Sequence, residues 1–317
     1  MKTTLDSSAS RTALLVANPV SGHGRAAEAV PELVKALAAR GIAADVAFTT
    51  SAKDSALDKA ILESQIAVAV GGDGTVNRVV RAIVLGQKAD GAGPRVAIVP
   101  AGTGNVAARV FGFPGEICNA ARLIATGGAR AVDAGVAVRD GRPESAFLLW
   151  LGAGLDGAII HAMAARRSPL RGTRLMVEYF LEGPRTLVSY GFPPIRVESE
   201  RVSGDFATVM LANVGRLGIG SVTIAADPAD GRLDVIAMKP RNLAAWCFAC
   251  LLAGFNIPDR CPGVSRTRAT RVRLTASAQP PVQVDGEPFG WLPVDVEVRP
   301  AAVRLIAPAA GSSPTEQ

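Results

Sequence analysis

Aromatic residues are scarce in this chain: Phe, Trp and Tyr make up 5% of its 317 residues. With no recognisable nucleic-acid module either, the sequence argues against a nucleic-acid partner despite its basic charge. Cysteine is rarer still. Cys118, Cys247, Cys250 and Cys261 are too few and too irregular for a secreted disulfide framework. Cys247 and Cys250 form a C-x-x-C within an apolar, helix-like run, with no second pair and no histidine nearby, so they read as buried thiols. Long apolar runs are missing as well. The longest, at 243–255, falls short of the roughly 20 residues a bilayer span needs. Residues 1–11 are polar and lack a signal core. The chain therefore reads as cytoplasmic, with at most peripheral contact at the inner membrane face.

Hydrophobic residues at 49% and charged residues at 20% describe a folded globular protein. A core of that size needs no disulfide or metal staple. The net charge of +6 and a pI near 9.5 favour an anionic partner, either nucleotide phosphate or an anionic membrane surface. A solvated basic surface would give the same numbers.

The first part alternates strands and helices. Strands are expected at 13–17, 45–49, 66–70 and 95–99, and helices at 26–39, 55–64 and 76–85. Such alternation implies a parallel sheet with right-handed crossovers, whose ligand sits beyond the carboxyl ends of the strands. From about residue 132 the texture changes to short strands, at 132–138, 146–151, 195–200, 207–214, 233–238, 271–275, 282–284, 294–298 and 303–306. Turn residues separate most of them, which suggests an antiparallel sandwich or barrel, with helical insertions at 157–166 and 243–255. The fold class is thus α/β plus all-β: an amino-terminal domain at 11–130, a β-sandwich domain at 131–307 and a disordered tail at 308–317.

Three glycine-rich turns carry the chemistry. Asn18-Pro19-Val20-Ser21-Gly22-His23-Gly24 follows the first strand, Gly71-Gly72-Asp73-Gly74-Thr75-Val76-Asn77 the third, and Pro100-Ala101-Gly102-Thr103-Gly104-Asn105 the fourth. Glycine lets backbone approach a ligand closely, and a helix start offers free N–H groups and a positive dipole end to phosphate. One such turn only connects elements. Three at one sheet edge point to a phosphate site. None is a Walker loop or a dinucleotide fingerprint. Asp73 would repel phosphate unless it holds Mg2+ or accepts a proton, and capping the next helix is the alternative role.

These residues, with the terminal Asp285-Gly286-Glu287, resemble the diacylglycerol kinase catalytic family, which includes bacterial lipid kinases, sphingosine kinases and ceramide kinases. Gly102 to Arg109 matches its third motif. The likeness extends to Gly152-Ala153-Gly154-Leu155-Asp156 and to Asp230-Gly231-Arg232-Leu233-Asp234, and so over nearly the whole chain. It implies a phosphofructokinase-like nucleotide domain packed on a β-sandwich, with catalysis in the cleft between them. It implies ATP and Mg2+ as cofactors and a lipid alcohol as substrate. ATP would lie against Asn18, Ser21, Gly22, Gly24, Thr49, the segment Gly71, Gly72, Asp73, Gly74, Thr75, Val76 and Asn77, and Thr103 and Asn105. Glu287, with Asp285 beside it, matches the catalytic acid pair that takes the proton of the lipid hydroxyl, and Asp73 would position Mg2+ or the nucleophile. Asp-Gly is also a common hairpin turn, so Glu287 read without the likeness is more readily a surface turn acid than a catalytic one. Some members hold a structural Mg2+ at positions matching Asp227, Asp230 and the Arg232 carbonyl, though the loop here is about one residue shorter than usual.

The family commonly carries Glu where this chain has Arg78. A charge reversal beside the phosphates would strengthen nucleotide binding, replace a metal-linked acid or weaken catalysis. Val106 stands where Asp is frequent. The arginines at 166–174 suit anionic headgroups or plain solvation, and the apolar run at 243–255 suits an acyl groove or a buried helix. Three functions remain: a lipid kinase, a binding homologue that no longer catalyses, and an NAD kinase. The first and last motifs favour the lipid branch, and a homodimer is left open.

Overall fold

The computed structural model describes residues 11–49, 54–86, 93–165, 183, 185–215, 226–239 and 263–307. The arginine-rich stretch at 166–174, the apolar run at 243–255 and the tail at 308–317 lie outside them. Four parallel strands form the first layer: β1 (Arg11–Ala17), β2 (Ile42–Phe48), β3 (Ile66–Gly71) and β4 (Arg95–Pro100), in the order β2-β1-β3-β4. β3 is buried along its whole length, as its unbroken small apolar sequence requires of a strand covered on both faces. The covering helices are α1 (Arg25–Ala38), α2 (Ser55–Glu63), α3 (Asp73–Gly86), α4 (Val106–Phe111) and α5 (Ile117–Thr126). α1 buries Ala26, Val30, Leu33 and Leu37, one stripe at helical spacing.

The second part contains β5 (Gly128–Arg139), β6 (Arg142–Phe147), β7 (Trp150–Gly154), α6 (Leu155–Ala165), β8 (Ile195–Ser199), β9 (Ser203–Phe206), β10 (Thr208–Ala212), β11 (Leu233–Met238), β12 (Val264–Ala269), β13 (Arg271–Thr275), β14 (Pro281–Val284), β15 (Glu287–Trp291) and β16 (Val294–Ala307). One antiparallel sheet runs β12-β11-β10-β7-β14-β15. The facing layer is built from β5, β6, β8, β9, β13 and part of β16. Phe147, Leu151, Val209, Leu211, Val272 and Leu274 belong to the core packed between them.

Two strands depart from the sequence reading. The run at 146–151 splits into β6 and β7 across Leu148 and Leu149. The backbone turns there because the amides of Leu148, Leu149 and Trp150 all donate to the carboxylate of Asp285. Conversely, 294–298 and 303–306 are halves of one strand, β16, whose register shifts between Arg299 and Val303. Its first half pairs with β13, and its second half returns to the amino-terminal sheet, where Arg304 and Leu305 pair in parallel with Arg95 and Val96 of β4. β5 pairs with β16 on both sides of the shift, so the expected boundary at residue 130 falls inside a strand that runs from one part of the molecule into the other. The sequence pattern does not mark helices α4 and α5 or strands β9, β12 and β15. α3 packs on β3, β6 and β16, so its amino-terminal end lies where the two parts meet.

Candidate active site

β3 delivers Gly71 and Gly72 to the carboxyl edge of the first sheet, and α3 starts at once with Asp73. The three glycine-rich turns interlock there. The Gly72 N–H donates to the Ser21 hydroxyl at 3.1 Å. Gly102 abuts Gly72 so closely that a Cβ on Gly102 would stand 2.2 Å from the Gly72 Cα. Asn105 closes the third turn, with its amide bonded to both the N–H and the carbonyl of Gly102 at 3.0 Å. Arg25, which the sequence reading passed over, joins the first turn to the third by donating to the carbonyls of Gly22 and Gly102. No spacing rule marks it; it is simply the residue after the first turn.

The sequence-derived nucleotide residues therefore separate into two groups. Asn18, Ser21 and Asn105 hold backbone: Asn18 accepts the Val20 N–H, and its carbonyl accepts the Ser21 N–H. Thr75 and Val76 are buried, with the Thr75 hydroxyl packed against Gly71. Thr49 continues β2, its N–H donating to the Ala17 carbonyl. Gly22 and Gly24 have positive φ and shape the entry to α1. Gly72, Asp73, Gly74 and Thr103 lie together where the second and third turns touch. The Thr75 and Val76 N–H groups donate to the Gly72 carbonyl, so the donors that the start of α3 presents here are those of Asp73 and Gly74.

Asp73 does not cap its own helix. Its Oδ1 accepts the Ala107 N–H at 2.9 Å, at the start of α4, and so ties two helix starts together. Across the gap, Glu287 opens β15 and comes so close to α3 that a Cβ on Gly74 would stand 2.9 Å from its Oε1. The Glu287 side chain reaches solvent at the mouth while protein crowds its carboxylate. That crowding raises its pKa above the ordinary glutamate value, and the neighbouring Asp73 adds to the rise.

Asp285 and Glu287 have different surroundings. Asp285 is buried and has positive φ, as does Gly286, the arrangement of a tight Asp-Gly hairpin turn. Its carboxylate accepts the N–H groups of Leu148, Leu149 and Trp150 and the side-chain amide of Asn77, at 2.9–3.2 Å. Burial outweighs these donors and pushes its pKa up to about 6. Asn77 of α3 thus reaches across to the hairpin and also donates to the Ala146 carbonyl.

Arg78 faces away from this gap. One residue on from Asn77 is a rotation of about 100° around the helix axis. Its buried guanidinium pairs with Asp58 of α2 and donates to the Asp54 carbonyl at 3.0 Å. The reading of Arg78 as a charge beside the phosphates is therefore corrected: it is an anchor between α2 and α3. Val106 opens α4 and packs against the first core.

The residues matched to a structural Mg2+ do not fit one. Asp227 accepts the Ala229 N–H, Asp230 accepts the Arg232 N–H, and Arg268 stands 3.5 Å from the other Asp230 oxygen. The Arg268 guanidinium thus already offsets the charge of Asp230. Among the described residues, no group of three or more His, Cys, Asp or Glu side chains is arranged to hold a metal ion. Among them, too, no helix is long and apolar enough to cross a membrane.

Comparison with known proteins agrees with this two-part arrangement. Residues 12–137 match the Diacylglycerol kinase catalytic domain, and residues 151–307 match the YegS C-terminal NAD kinase beta sandwich-like domain. A protein named Diacylglycerol kinase from Bacillus subtilis (strain 168) is 27% identical over 294 residues, covering 89% of this chain and 92% of that one. Another of the same name, from Mycobacterium tuberculosis (strain ATCC 25618 / H37Rv), is 28% identical over 301 residues, covering 93% and 94%. A crystal structure of a diacylglycerol kinase from Bacillus anthracis str. Sterne superposes with a TM-score of 0.67 at 19% identity, covering 96% of this chain and 98% of that one. A second solved chain from that organism gives 0.74 at 22%, covering 96% and 99%. At such identities the solved structures speak for the fold alone. The two domain matches lie in order along the chain and meet where the three glycine turns face Glu287. The chain thus joins a match to the diacylglycerol kinase catalytic domain, at 12–137, to one for the sandwich domain that follows it, at 151–307.

Proposed function

We propose that this protein is an ATP-dependent lipid kinase that transfers the γ-phosphoryl group of ATP to the hydroxyl of a lipid such as diacylglycerol. The observation that carries the proposal is the close approach of Glu287 to the start of α3 at Gly74. A proton acceptor there borders the phosphate-binding edge, where an incoming hydroxyl would have to lie. The names of the relatives supply the lipid class.

Phosphoryl transfer asks a protein for alignment and charge compensation more than for covalent chemistry. The lipid oxygen forms its bond to the γ-phosphorus as the bond to the β-phosphate oxygen breaks, and ADP leaves. Glu287 accepts the hydroxyl proton, and its raised pKa makes it a stronger base than a free glutamate. The free N–H groups at the start of α3 face the charge that builds on the transferring phosphoryl. Asp73 is the carboxylate at that end of the cleft that would hold a Mg2+ brought in with ATP, whose charge would add to the neutralisation. Asp285 supports the turn that carries the base. The basic net charge suits work at the inner membrane face.

A binding homologue without catalysis loses its motive once Arg78 is paired with Asp58. The NAD kinase reading keeps only the sandwich description. Labelled ATP with Mg2+ and a panel of lipid alcohols in mixed micelles tests the proposal. Label should enter a lipid, and Glu287→Gln should lower kcat by about 10^3 with ATP binding intact. ATP binding with no lipid labelled would overturn the proposal, and label in NAD would favour the NAD kinase.

A further inference from the structure

Gln283 is a polar residue at full burial in the otherwise apolar strand β14. A buried amide in such a strand must find partners, and both of its ends have one. Its Nε2 donates to Asp156 Oδ2 at 2.7 Å, and its Oε1 accepts the Gly286 N–H at 2.7 Å. Asp156, at the start of α6, decides which way round the amide sits. An ionised carboxylate can only accept, so the nitrogen must face Asp156 and the oxygen must face Gly286.

The backbone around the pair is shaped to admit it. Gly152 of β7 lies opposite Gln283 in the sheet register. A Cβ on Gly152 would stand 1.9 Å from Asp156 Oδ2 and 2.9 Å from Gln283 Nε2. The Gly152 to Asp156 motif, which the proposed chemistry leaves without a task, thereby acquires one: its first residue clears the space and its last fixes the amide. Gly286 is the residue bonded to Glu287. The hairpin tip is therefore held from two directions, by the Asp285 carboxylate on the Leu148 to Trp150 amides and by the Gln283 oxygen on Gly286.

The geometry assigns Gln283, oriented by Asp156, as the positioning residue that sets the height of Glu287 over the start of α3. This rests on Glu287 as the base of the proposed reaction. Neither residue touches the reacting atoms, so their loss should act through placement of the base, lowering kcat with the KM for ATP unchanged.

A reciprocal exchange of the two groups tests the assignment. Gln283→Glu leaves two carboxylates facing each other, and Asp156→Asn replaces the charged acceptor by an amide that can turn its own nitrogen towards Gln283 Nε2. Each single variant should lower kcat at least tenfold in the full chain with labelled ATP and a lipid alcohol. In the double variant, the amide introduced at position 156 donates to the carboxylate introduced at position 283. The other oxygen of that carboxylate still accepts the Gly286 N–H, and kcat should return to within about threefold of wild type. Gln283→Leu removes both bonds without adding charge. It should lower kcat tenfold and speed hydrogen exchange of the 283–291 peptide, while Leu37→Ala, a core truncation on α1 in the amino-terminal part, should change neither. A double variant no better than its parents, or Gln283→Leu at full kcat while Glu287→Gln is inactive, would overturn the positioning role alone. Full activity in Glu287→Gln would overturn the base and this inference together.

Discussion

On the amino-terminal wall of the cleft, Asp73 sits at a helix start among turns locked by backbone contact, with Gly72 and Gly102 nearly touching. On the carboxyl-terminal wall, Glu287 stands at the foot of a hairpin whose tip hangs on buried side chains, Asp285 and Gln283. The first wall is rigid because nothing larger than hydrogen fits between its turns. The second is rigid because the buried Asp285 and Gln283 side chains meet the amides of Leu148, Leu149, Trp150 and Gly286. Steric locks fail when an atom is added, whereas hydrogen-bonded ones fail when an atom is removed or a proton moves.

Arg78 adds a charged lock to the hydrogen bonds of the amino-terminal side, since its buried guanidinium pairs with the half-exposed Asp58 and joins α3 to α2 behind the cleft. Arg78→Glu, the change towards the residue common in the family, would set an unpaired buried carboxylate against Asp58. Removing one partner of such a pair costs about 3–5 kcal/mol. Urea unfolding should show a loss of that size, and the turnover of the folded fraction should not rise. A faster enzyme of unchanged stability would mean that Arg78 acts on the nucleotide after all.

The sequence disclosed this division unevenly. The strand-to-glycine pattern at 66–74 made the first wall legible, because a buried parallel strand and a glycine-rich helix start both leave local composition behind. The Asp-Gly-Glu hairpin was legible only through family likeness. What escaped needed register or rotation. β16 reads as two strands because its shift breaks the alternation, and nothing local shows that its second half pairs with β4. The direction of Arg78 follows only once Asn77 is known to face Asp285, a residue 208 positions away. Gln283 did leave a trace, as the one polar residue of a buried strand, and a rule that buried polar groups must be satisfied would have singled it out.

The carboxyl-terminal wall should also respond to protons, as a purely steric lock does not. Asp285 has its pKa pushed from 3.8 to about 6 by burial. The folded state therefore holds that proton more tightly than the unfolded chain does. Its contribution to stability is fully present below about pH 4 and is lost as pH rises through about 6. At 1.36 kcal/mol per pKa unit, this amounts to about 3 kcal/mol. Unfolding free energies of wild type and Asp285→Asn, compared between pH 4 and 7, should diverge by about that much, with wild type gaining on acidification. Wild type losing stability relative to Asp285→Asn on acidification would show that the four hydrogen bonds, not burial, dominate at this carboxylate.

The steric wall is tested by adding one carbon. In Gly102→Ala the new Cβ would lie 2.2 Å from the Gly72 Cα and 2.7 Å from the Gly72 nitrogen. Both neighbours are backbone, so no rotamer relieves the overlap and the second and third turns must move apart. A shift near 1 Å in a positioning element costs on the order of 100-fold in rate. The Gly72 bond to Ser21 would stretch with it, which carries the disturbance into the first turn. ATP titration by calorimetry should show weakened binding, and steady-state turnover should fall by about 100-fold. Gln283 and Asp285 lie on the other wall, so the hydrogen exchange of the 283–291 peptide should stay at the wild-type rate. Faster exchange there would mean that the two walls are coupled through Asn77, the side chain that bridges them, and that the cleft responds as one unit.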